Sequence, residues 1–224
     1  MAGENVFVPR LFDSRLEAGR RLAEALAAYK GRNPLVLAIP RGAVAMGAEI
    51  ARLLEGELDV VLVKKLRAPG SPEFAVGAID ETGWAYVADH AAQAGATEAY
   101  LAREQAEQLA LLRRRRAQYT PARAPADPAG RVAIVVDDGI ATGASMIAAL
   151  HAVRAKKPAQ LVCAVPVAPP DSLEHIRPYA DELVCLEAPE EFMAVGQFYR
   201  HFEQVEDDEV VALLARHGRH RAPA

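Results

Sequence analysis

Two adjacent carboxylates end an apolar run in the second half of this 224-residue chain. Residues 132–136 read Val-Ala-Ile-Val-Val, which is typical of a buried strand, and Asp137 and Asp138 follow directly. Neighbouring carboxylates at the end of a buried strand repel each other, so we expect a ligand to compensate them. Sugar hydroxyls could donate hydrogen bonds to both residues, and Mg²⁺, directly or through water, prefers such oxygen ligands. The plain alternative is a pair of solvated loop acids.

A short loop of small and hydroxylated residues separates these acids from a helix predicted over about residues 144–156. Small residues let the backbone approach an anion closely, hydroxyl groups add donors, and the N-terminus of the following helix attracts negative charge. The loop therefore predicts a phosphate site, and an ordinary helix cap formed by Thr142 or Ser145 is the structural alternative. The candidate phosphate ligands are Ala141, Thr142, Gly143, Ala144 and Ser145.

Residues 132–145 resemble the signature of the type I phosphoribosyltransferases, which bind phosphoribosyl pyrophosphate. The resemblance implies that the loop holds the 5-phosphate, that Asp137 and Asp138 hold the ribose hydroxyls, and that Mg²⁺ is the cofactor. It extends over about residues 33–187 and implies transfer of phosphoribose to a nitrogenous base with release of pyrophosphate. Many family members that act on 6-oxopurines have an acid where this chain has Ala141, which argues against a hypoxanthine or guanine acceptor. The acceptor and the general base are not identified by any pattern in the chain.

Polar residues also follow two other predicted strands. Pro40-Arg41-Gly42 comes after residues 35–39, and Lys64-Lys65 comes after residues 59–63. Family members hold the pyrophosphate on a short loop at the first position, often through a strained peptide bond, so Arg41 would neutralise a phosphate and Gly42 would expose N–H groups. Lys64 or Lys65 would assist the departing pyrophosphate, and strand geometry predicts that one points to the site and the other away.

Alternating strands and helices predict an α/β fold, a Rossmann-like doubly wound and mostly parallel sheet with flanking helices, in one domain spanning 1–224. Ligands in such sheets bind beyond the carboxyl ends of the strands, where Pro166 also lies. The predicted helices begin after a cap at Asp13, at residue 44, after a cap at Thr97 and at residue 207. The predicted strands are 35–39, 59–63, 132–136, 160–166 and 181–186, with a helical turn at 172–177, a loop at 66–75, a hairpin at 76–88 and a linker at 120–130.

Three segments outside the predicted core carry further expectations. Residues 66–88 resemble the flexible loop that closes over the site in this family, and 97–119 form a helical insertion that could cover the sheet or join a homodimer. A small hood over about 187–204 contains apolar side chains that either stack on a planar base or form the hood's own core. These side chains are Phe192, Met193, Phe198, Tyr199 and Phe202.

Composition limits the choice of function. The net charge of −4 argues against a general nucleic-acid binder, although Arg113–Arg116 leave an alternative open, a non-catalytic regulator that binds phosphoribosyl pyrophosphate or a nucleotide. Four consecutive arginines spread around a helix, so a solvated or subunit-facing surface is the preferred interpretation. Cys163 and Cys185 lie in apolar runs and are expected in the core. The absence of a long apolar stretch and of a leader pattern at residues 1–5 predicts a soluble, cytoplasmic protein.

Overall fold

The computed structural model describes residues 10–121 and 124–217, apart from the side chains of residues 72 and 73. The elements in chain order are α1 (Arg15–Ala25), β1 (Leu35–Ala38), α2 (Ala43–Leu54), β2 (Glu57–Val60), β3 (Val63–Ala68), β4 (Ser71–Asp80), β5 (Ala85–Val87), α3 (Glu98–Tyr119), β6 (Val132–Val136), α4 (Ala144–Arg154), β7 (Gln160–Val167), α5 (Pro170–Ile176), β8 (Glu182–Glu187) and α6 (Asp207–His217). Short 3₁₀ helices occupy Ala27–Tyr29, Arg177–Tyr179 and Val195–Phe198.

The central sheet is parallel and has the strand order β2-β1-β6-β7-β8. The predicted Rossmann-like α/β fold is therefore confirmed. The chain order reverses between β1 and β6, which pair directly with Ala38 opposite Val136. Ligands bind at such a reversal because the loops after the two strands diverge and leave a crevice. The loop after β1 and the acids after β6 consequently lie side by side.

Alternating strand residues build the core on both faces of this sheet. Val36, Ile134 and Val162 pack on the face that α1 and α2 cover. Leu35, Val135 and the buried thiol of Cys163 pack on the opposite face with α4 and α5. Burial on both faces explains why these strands are almost continuously apolar. Cys163 and Cys185 are both free thiols, and burial raises the pKa of the Cys185 thiol to about 11.

A second, antiparallel sheet of β3, β4 and β5 occupies most of the segment predicted as an irregular loop. The predicted loop at 66–75 is wrong because β3 and β4 pair across a tight turn at Gly70, whose φ is +71°. Lys64 and Lys65 therefore lie inside β3 and do not end a parallel strand, since β2 already ends at Val60. Pro166 likewise lies inside β7, so its prediction as a strand end is also wrong.

The predicted hairpin around residues 81–83 is present, and contacts of Asp80 and Trp84 hold it in place. Asp80 Oδ1 accepts hydrogen bonds from the N–H groups of Thr82, Gly83 and Trp84, at 2.7–3.1 Å. The Trp84 ring then stacks on His151 of α4, with ring centroids 3.4 Å apart. The hairpin is thus packed on the helix that follows the predicted phosphate loop, and its closure over the site stays a prediction.

Helix boundaries follow their capping residues. Ser14, and not the predicted Asp13, caps α1 by accepting a hydrogen bond from the Glu17 N–H at 3.3 Å. The predicted cap of α3 is confirmed, because the Thr97 hydroxyl accepts from the Tyr100 N–H at 3.2 Å. Leu112 of α3 is 2% exposed, and the helix packs on β3 and β4, so it covers the small sheet.

The four arginines of α3 have different surroundings because consecutive helix residues point in different directions. Arg113 and Arg114 are exposed, whereas Arg116 is mostly buried and pairs with Glu81 at 2.6 Å and Asp59 at 3.3 Å. For Arg116 the prediction of a solvated or subunit-facing surface is therefore wrong. Its ion pairs join α3 to the end of β2 and to the hairpin.

The described helices include none that combines the length and the apolar character needed to cross a membrane. Residues 1–5, on which the prediction about a leader rests, lie outside the described residues, as do residues 122 and 123 of the predicted linker.

Replacing Arg116 should destabilise the fold strongly. The change Arg116→Met leaves the largely buried Glu81 carboxylate without its cation and removes one ion pair of Asp59, so the free energy of unfolding should fall by about 3–5 kcal/mol. The exposed neighbour gives a matched control, since Arg113→Met should change stability by less than about 0.5 kcal/mol. Urea unfolding checks both values, and equal midpoints for the two variants would contradict the assigned role of Arg116.

Stability should also depend on the Glu49 carboxylate, which joins α1 to α2. Hydrogen bonds from Arg52 and Arg20, stronger than the opposing effect of burial, lower the pKa of Glu49 from about 4.5 to about 2. A depressed folded-state pKa stabilises the fold above the ordinary pKa, and the benefit disappears as pH falls towards the folded value. Because both arginines are more than half exposed, we expect Glu49→Gln to cost only about 1 kcal/mol at neutral pH.

The difference between wild type and Glu49→Gln should shrink below about pH 4.5 and vanish near pH 2. Denaturant titrations at several pH values test this, with Glu55→Gln as control because the Glu55 side chain is 61% exposed. A destabilisation that stays constant down to pH 2 would show that packing, and not the charge, is responsible.

Candidate functional site

A cavity of about 130 Å³ lies at the junction of β6 and α4. Asp137 lines it together with the whole predicted phosphate loop and with Lys65 of β3. The structure thus brings together residues from two sheets at the carboxyl edge of β6. The loop residues on its wall are Ala141, Thr142, Gly143, Ala144 and Ser145.

The N-terminus of α4 beside this cavity carries no side-chain cap. Gly143 is the N-cap residue with φ of +82°, and a Cβ there would lie 3.1 Å from Ile176. The alternative of an ordinary cap by Thr142 or Ser145 is therefore wrong. Ser172 of α5 fixes the loop by donating its hydroxyl to the Ala141 carbonyl at 2.6 Å. Uncapped N–H groups and two hydroxyls at one cavity can hold a phosphate.

The two adjacent acids have different surroundings. Asp138 Oδ2 accepts from Arg15 Nε at 2.7 Å, and the Asp138 carbonyl accepts from the Tyr199 hydroxyl at 2.6 Å. A Cβ on Gly42 would lie 2.1 Å from the same Oδ2, so only glycine permits this approach. Asp138 is thus held between α1 and the loop after β1, whereas Asp137 faces the cavity.

Protein atoms surround both carboxyl groups on most sides and remove much of their solvation. Burial raises the pKa of Asp137 well above its usual range, and the neighbouring charge of Asp138 raises it further. The hydrogen bond from the Asp138 N–H and the charge of Lys65 oppose this shift. Burial also raises the pKa of Asp138, although Arg15 opposes the shift. The pair therefore keeps a cost of desolvation that a hydroxyl donor or a cation would relieve.

The loop after β1 contacts both the acids and the last helix. Its Pro40–Arg41 peptide bond is cis. Arg41 Nη1 lies 3.5 Å from Glu206 Oε2 and 3.9 Å from Asp207 Oδ1, at the start of α6. The structure therefore places the predicted phosphate ligand Arg41 in surface ion pairs, and the predicted Gly42 against Asp138.

A second cavity, of about 260 Å³, extends from the first towards the small sheet. Lys65 and Ser145 line both cavities, which are therefore adjacent and are together called the cleft. Lys64 also lines the larger cavity, and the expectation that only one of the two lysine side chains points to the site stays a prediction. Burial and the nearby cations Arg115, Arg67 and Arg41 lower the pKa of the Lys64 ammonium.

The hood packs its aromatic residues against each other. Phe198 and Tyr199 are 1% and 3% exposed, so they form the hood's core, with Phe12 5.3 Å from Tyr199 between ring centroids. Met193 is 91% exposed. Val195 lines the smaller cavity, and a Cβ on Gly139 would lie 2.5 Å from it. Close packing of the hood on the strand end therefore requires glycine at 139.

Several contacts of the site could not be predicted from the sequence. Arg15 lies 123 positions from its partner Asp138, and its guanidinium also stacks 3.7 Å above the Phe202 ring. Tyr199 supports the Asp138 carbonyl from the hood, and Arg115 reaches the larger cavity from α3. Their partners are distant in sequence and lie in other elements, so local pattern could not identify them.

Comparison with known proteins agrees with this geometry. The phosphoribosyl transferase domain matches residues 11–203. The crystal structure of TT1426 from Thermus thermophilus is 46% identical, with a TM-score of 0.79, and the match covers 93% of this chain and 99% of that chain.

Two Mycobacterium tuberculosis proteins, "Putative phosphoribosyl transferase MT0597" and its namesake Rv0571c, are each 44% identical over 216 residues. These residues make up 96% of this chain, which spans only about half of each relative, 49% of its length. These matches agree with the sheet, its acidic strand end and the uncapped loop. The chain therefore belongs to the phosphoribosyltransferase family, and its resemblance to the type I members is confirmed.

Proposed function

We propose that this chain transfers phosphoribose from phosphoribosyl pyrophosphate to a nitrogenous base and releases pyrophosphate. The observation that carries the proposal is the pair of adjacent cavities, one lined by an uncapped helix N-terminus and a carboxylate and the other by a cluster of cations. Phosphoribosyl pyrophosphate has the complementary order, a phosphate, a ribose with free hydroxyls and a doubly phosphorylated leaving group.

The cleft suggests a place for each part of this donor. Residues 141–145 would bind the 5-phosphate through N–H groups and hydroxyls. Asp137 would accept hydrogen bonds from the ribose hydroxyls, and Asp138 would support it by fixing the loop after β1. Lys64 and Lys65 would contact the pyrophosphate in the larger cavity, which the loop after β1 lines at Pro40, next to Arg41 and Gly42 in the chain.

The reaction would depend on charges that match the transition state. A nitrogen lone pair attacks C1, the bond from C1 to the pyrophosphate oxygen breaks, and its electron pair leaves with the pyrophosphate. Positive charge develops on the ribose and negative charge on the leaving group. Asp137 stabilises the former and the lysines the latter, so both interactions strengthen as the bond breaks.

The donor atoms also fit Mg²⁺. Among the described residues no three His, Cys, Asp or Glu side chains form a metal cluster, and Asp137 is the acid that faces the cavity while Asp138 is held by Arg15. Mg²⁺ commonly binds one or two carboxylates together with substrate phosphates and water, which suits this arrangement. When bound, it supplies positive charge that offsets the pyrophosphate.

The acceptor remains a nitrogenous base, with Ala141 arguing against a 6-oxopurine. The regulator alternative relied on the arginine run, but Arg116 is engaged in buried ion pairs and Arg115 lines the cleft, which leaves Arg113 and Arg114 for an outer surface. This division favours the enzyme over nucleic-acid binding. The cytoplasmic location and the homodimer stay predictions from sequence.

Removing the charge of Asp137 should weaken donor binding and leave the fold intact. Because Asp137→Asn loses a charged acceptor for the ribose hydroxyls and for Mg²⁺, we expect at least about a tenfold loss of affinity for phosphoribosyl pyrophosphate. Stability at neutral pH should stay equal or rise, since one buried charge of a repelling pair is removed. Isothermal titration with Mg²⁺ and thermal unfolding measure the two effects.

The exposed loop acid Asp127 provides the control, because Asp127→Asn should bind the donor like wild type. Wild-type affinity in Asp137→Asn would refute the ribose assignment. Pyrophosphate release should then be screened over nucleobases with the wild-type protein. Release with one base would establish the transferase and its acceptor, whereas donor binding without release for any base would favour the regulator.

A further inference from the structure

We propose that Arg115 of α3 is a direct ligand of the pyrophosphate group, so that the helical insertion completes the leaving-group site. The inference rests on the proposed function and adds to it a catalytic residue from outside the central sheet. It starts from the wall of the larger cavity, which Arg115 shares with Lys64, Lys65 and Arg67.

Two of these four cations, Lys64 and Arg115, are half-buried, whereas Lys65 and Arg67 are exposed. The other half-buried cations of the described chain have carboxylate partners. Arg15, Arg116 and Arg131 each have a carboxylate oxygen within 3.3 Å. Among the side chains that the structure describes, no carboxylate oxygen lies within 4.0 Å of the charged nitrogens of the four cavity cations. A cavity that collects unpaired positive charge is suited to a polyanion.

Helix geometry explains why Arg115 faces the cleft. Successive residues of a helix are rotated by about 100°, so neighbours in the arginine run point to different surfaces. Arg116 points to the buried acids Asp59 and Glu81, and Arg115 falls on the adjacent surface, towards β3. The Arg115 guanidinium also lies 6.0 Å from the centre of the Tyr119 ring, one turn later, and Tyr119 donates a hydrogen bond to Asp207 at 2.5 Å.

The charge of the cavity selects the leaving group over the 5-phosphate. Arg115 lines only the larger cavity, whereas the phosphate loop lines the smaller one. As the bond to C1 breaks, its electron pair moves to the pyrophosphate oxygen, and a fixed guanidinium stabilises the added charge. Arginine can contact two phosphate oxygens at once with its planar fork, which lysine cannot. Arg115 should therefore affect pyrophosphate binding and leave 5-phosphate binding unchanged.

The test compares two probes in three proteins. Inorganic pyrophosphate with Mg²⁺ and, separately, ribose 5-phosphate are titrated calorimetrically into wild type, Arg115→Ala and Arg114→Ala. We expect Arg115→Ala to weaken pyrophosphate binding at least about tenfold, because a charged hydrogen-bond partner is lost, and to leave ribose 5-phosphate unchanged. Arg114→Ala should match wild type for both probes, since Arg114 is exposed outside the cleft.

Further variants keep the test decisive. If Arg115→Ala does not fold, Arg115→Gln retains most of the side chain and replaces it in the same titrations, and Arg115→Lys should recover only part of the affinity. Unchanged pyrophosphate affinity in a folded Arg115 variant would overturn the inference. If that result accompanies donor binding that depends on Asp137, the proposed function stands and only the role of Arg115 falls. Wild-type protein that binds neither the donor nor pyrophosphate would instead refute the function itself.

Discussion

The side-by-side ends of β1 and β6 are the constraint on which the rest of the site depends. Because the strands pair in register, the acids after β6 meet the loop after β1, and the Asp138 carboxylate has room only because residue 42 is glycine. Two adjacent carboxylates there would repel each other without compensation. Arg15 compensates Asp138, and the same arginine donates to the Glu203 carbonyl of the hood at 2.8 Å. The side chain of Arg15 thereby joins α1, the hood and the site loop.

Groups that the protein leaves without a full set of partners lie where a donor substrate would contact them. Asp137 faces the cavity, the N-terminus of α4 has no side-chain cap, and the cations of the larger cavity have no carboxylate partner among the described residues. Comparable groups are satisfied at two other places, where the Thr97 hydroxyl caps α3 and Arg116 pairs with Asp59 and Glu81. Incompletely paired groups cost stability, and proteins tolerate such costs mainly at functional sites.

The sequence predicted what lies within contiguous segments. The apolar strand, its two acids and the Thr-Gly loop are neighbours in the chain, so residue types and their order were sufficient to predict that the three lie together. The loop at 66–75 was misassigned because its glycine, serine and prolines resemble an irregular connection, whereas Gly70 makes a tight turn between paired strands. The partners of Asp138 could not be predicted, because Arg15 and Tyr199 come from opposite ends of the chain.

The arginine run shows why residue type alone did not decide function. Within one turn of α3, consecutive identical residues meet solvent, a cationic cleft and a buried acidic cluster. The rotation of the helix assigns these environments, and the rotation is set by Leu112 in the core and by the pairs of Arg116 with Glu81 and Asp59. The ion pairs of Arg116 thus fix the direction in which its neighbour Arg115 points. A helix outside the central sheet can in this way contribute a cation to the larger cavity through its packing contacts.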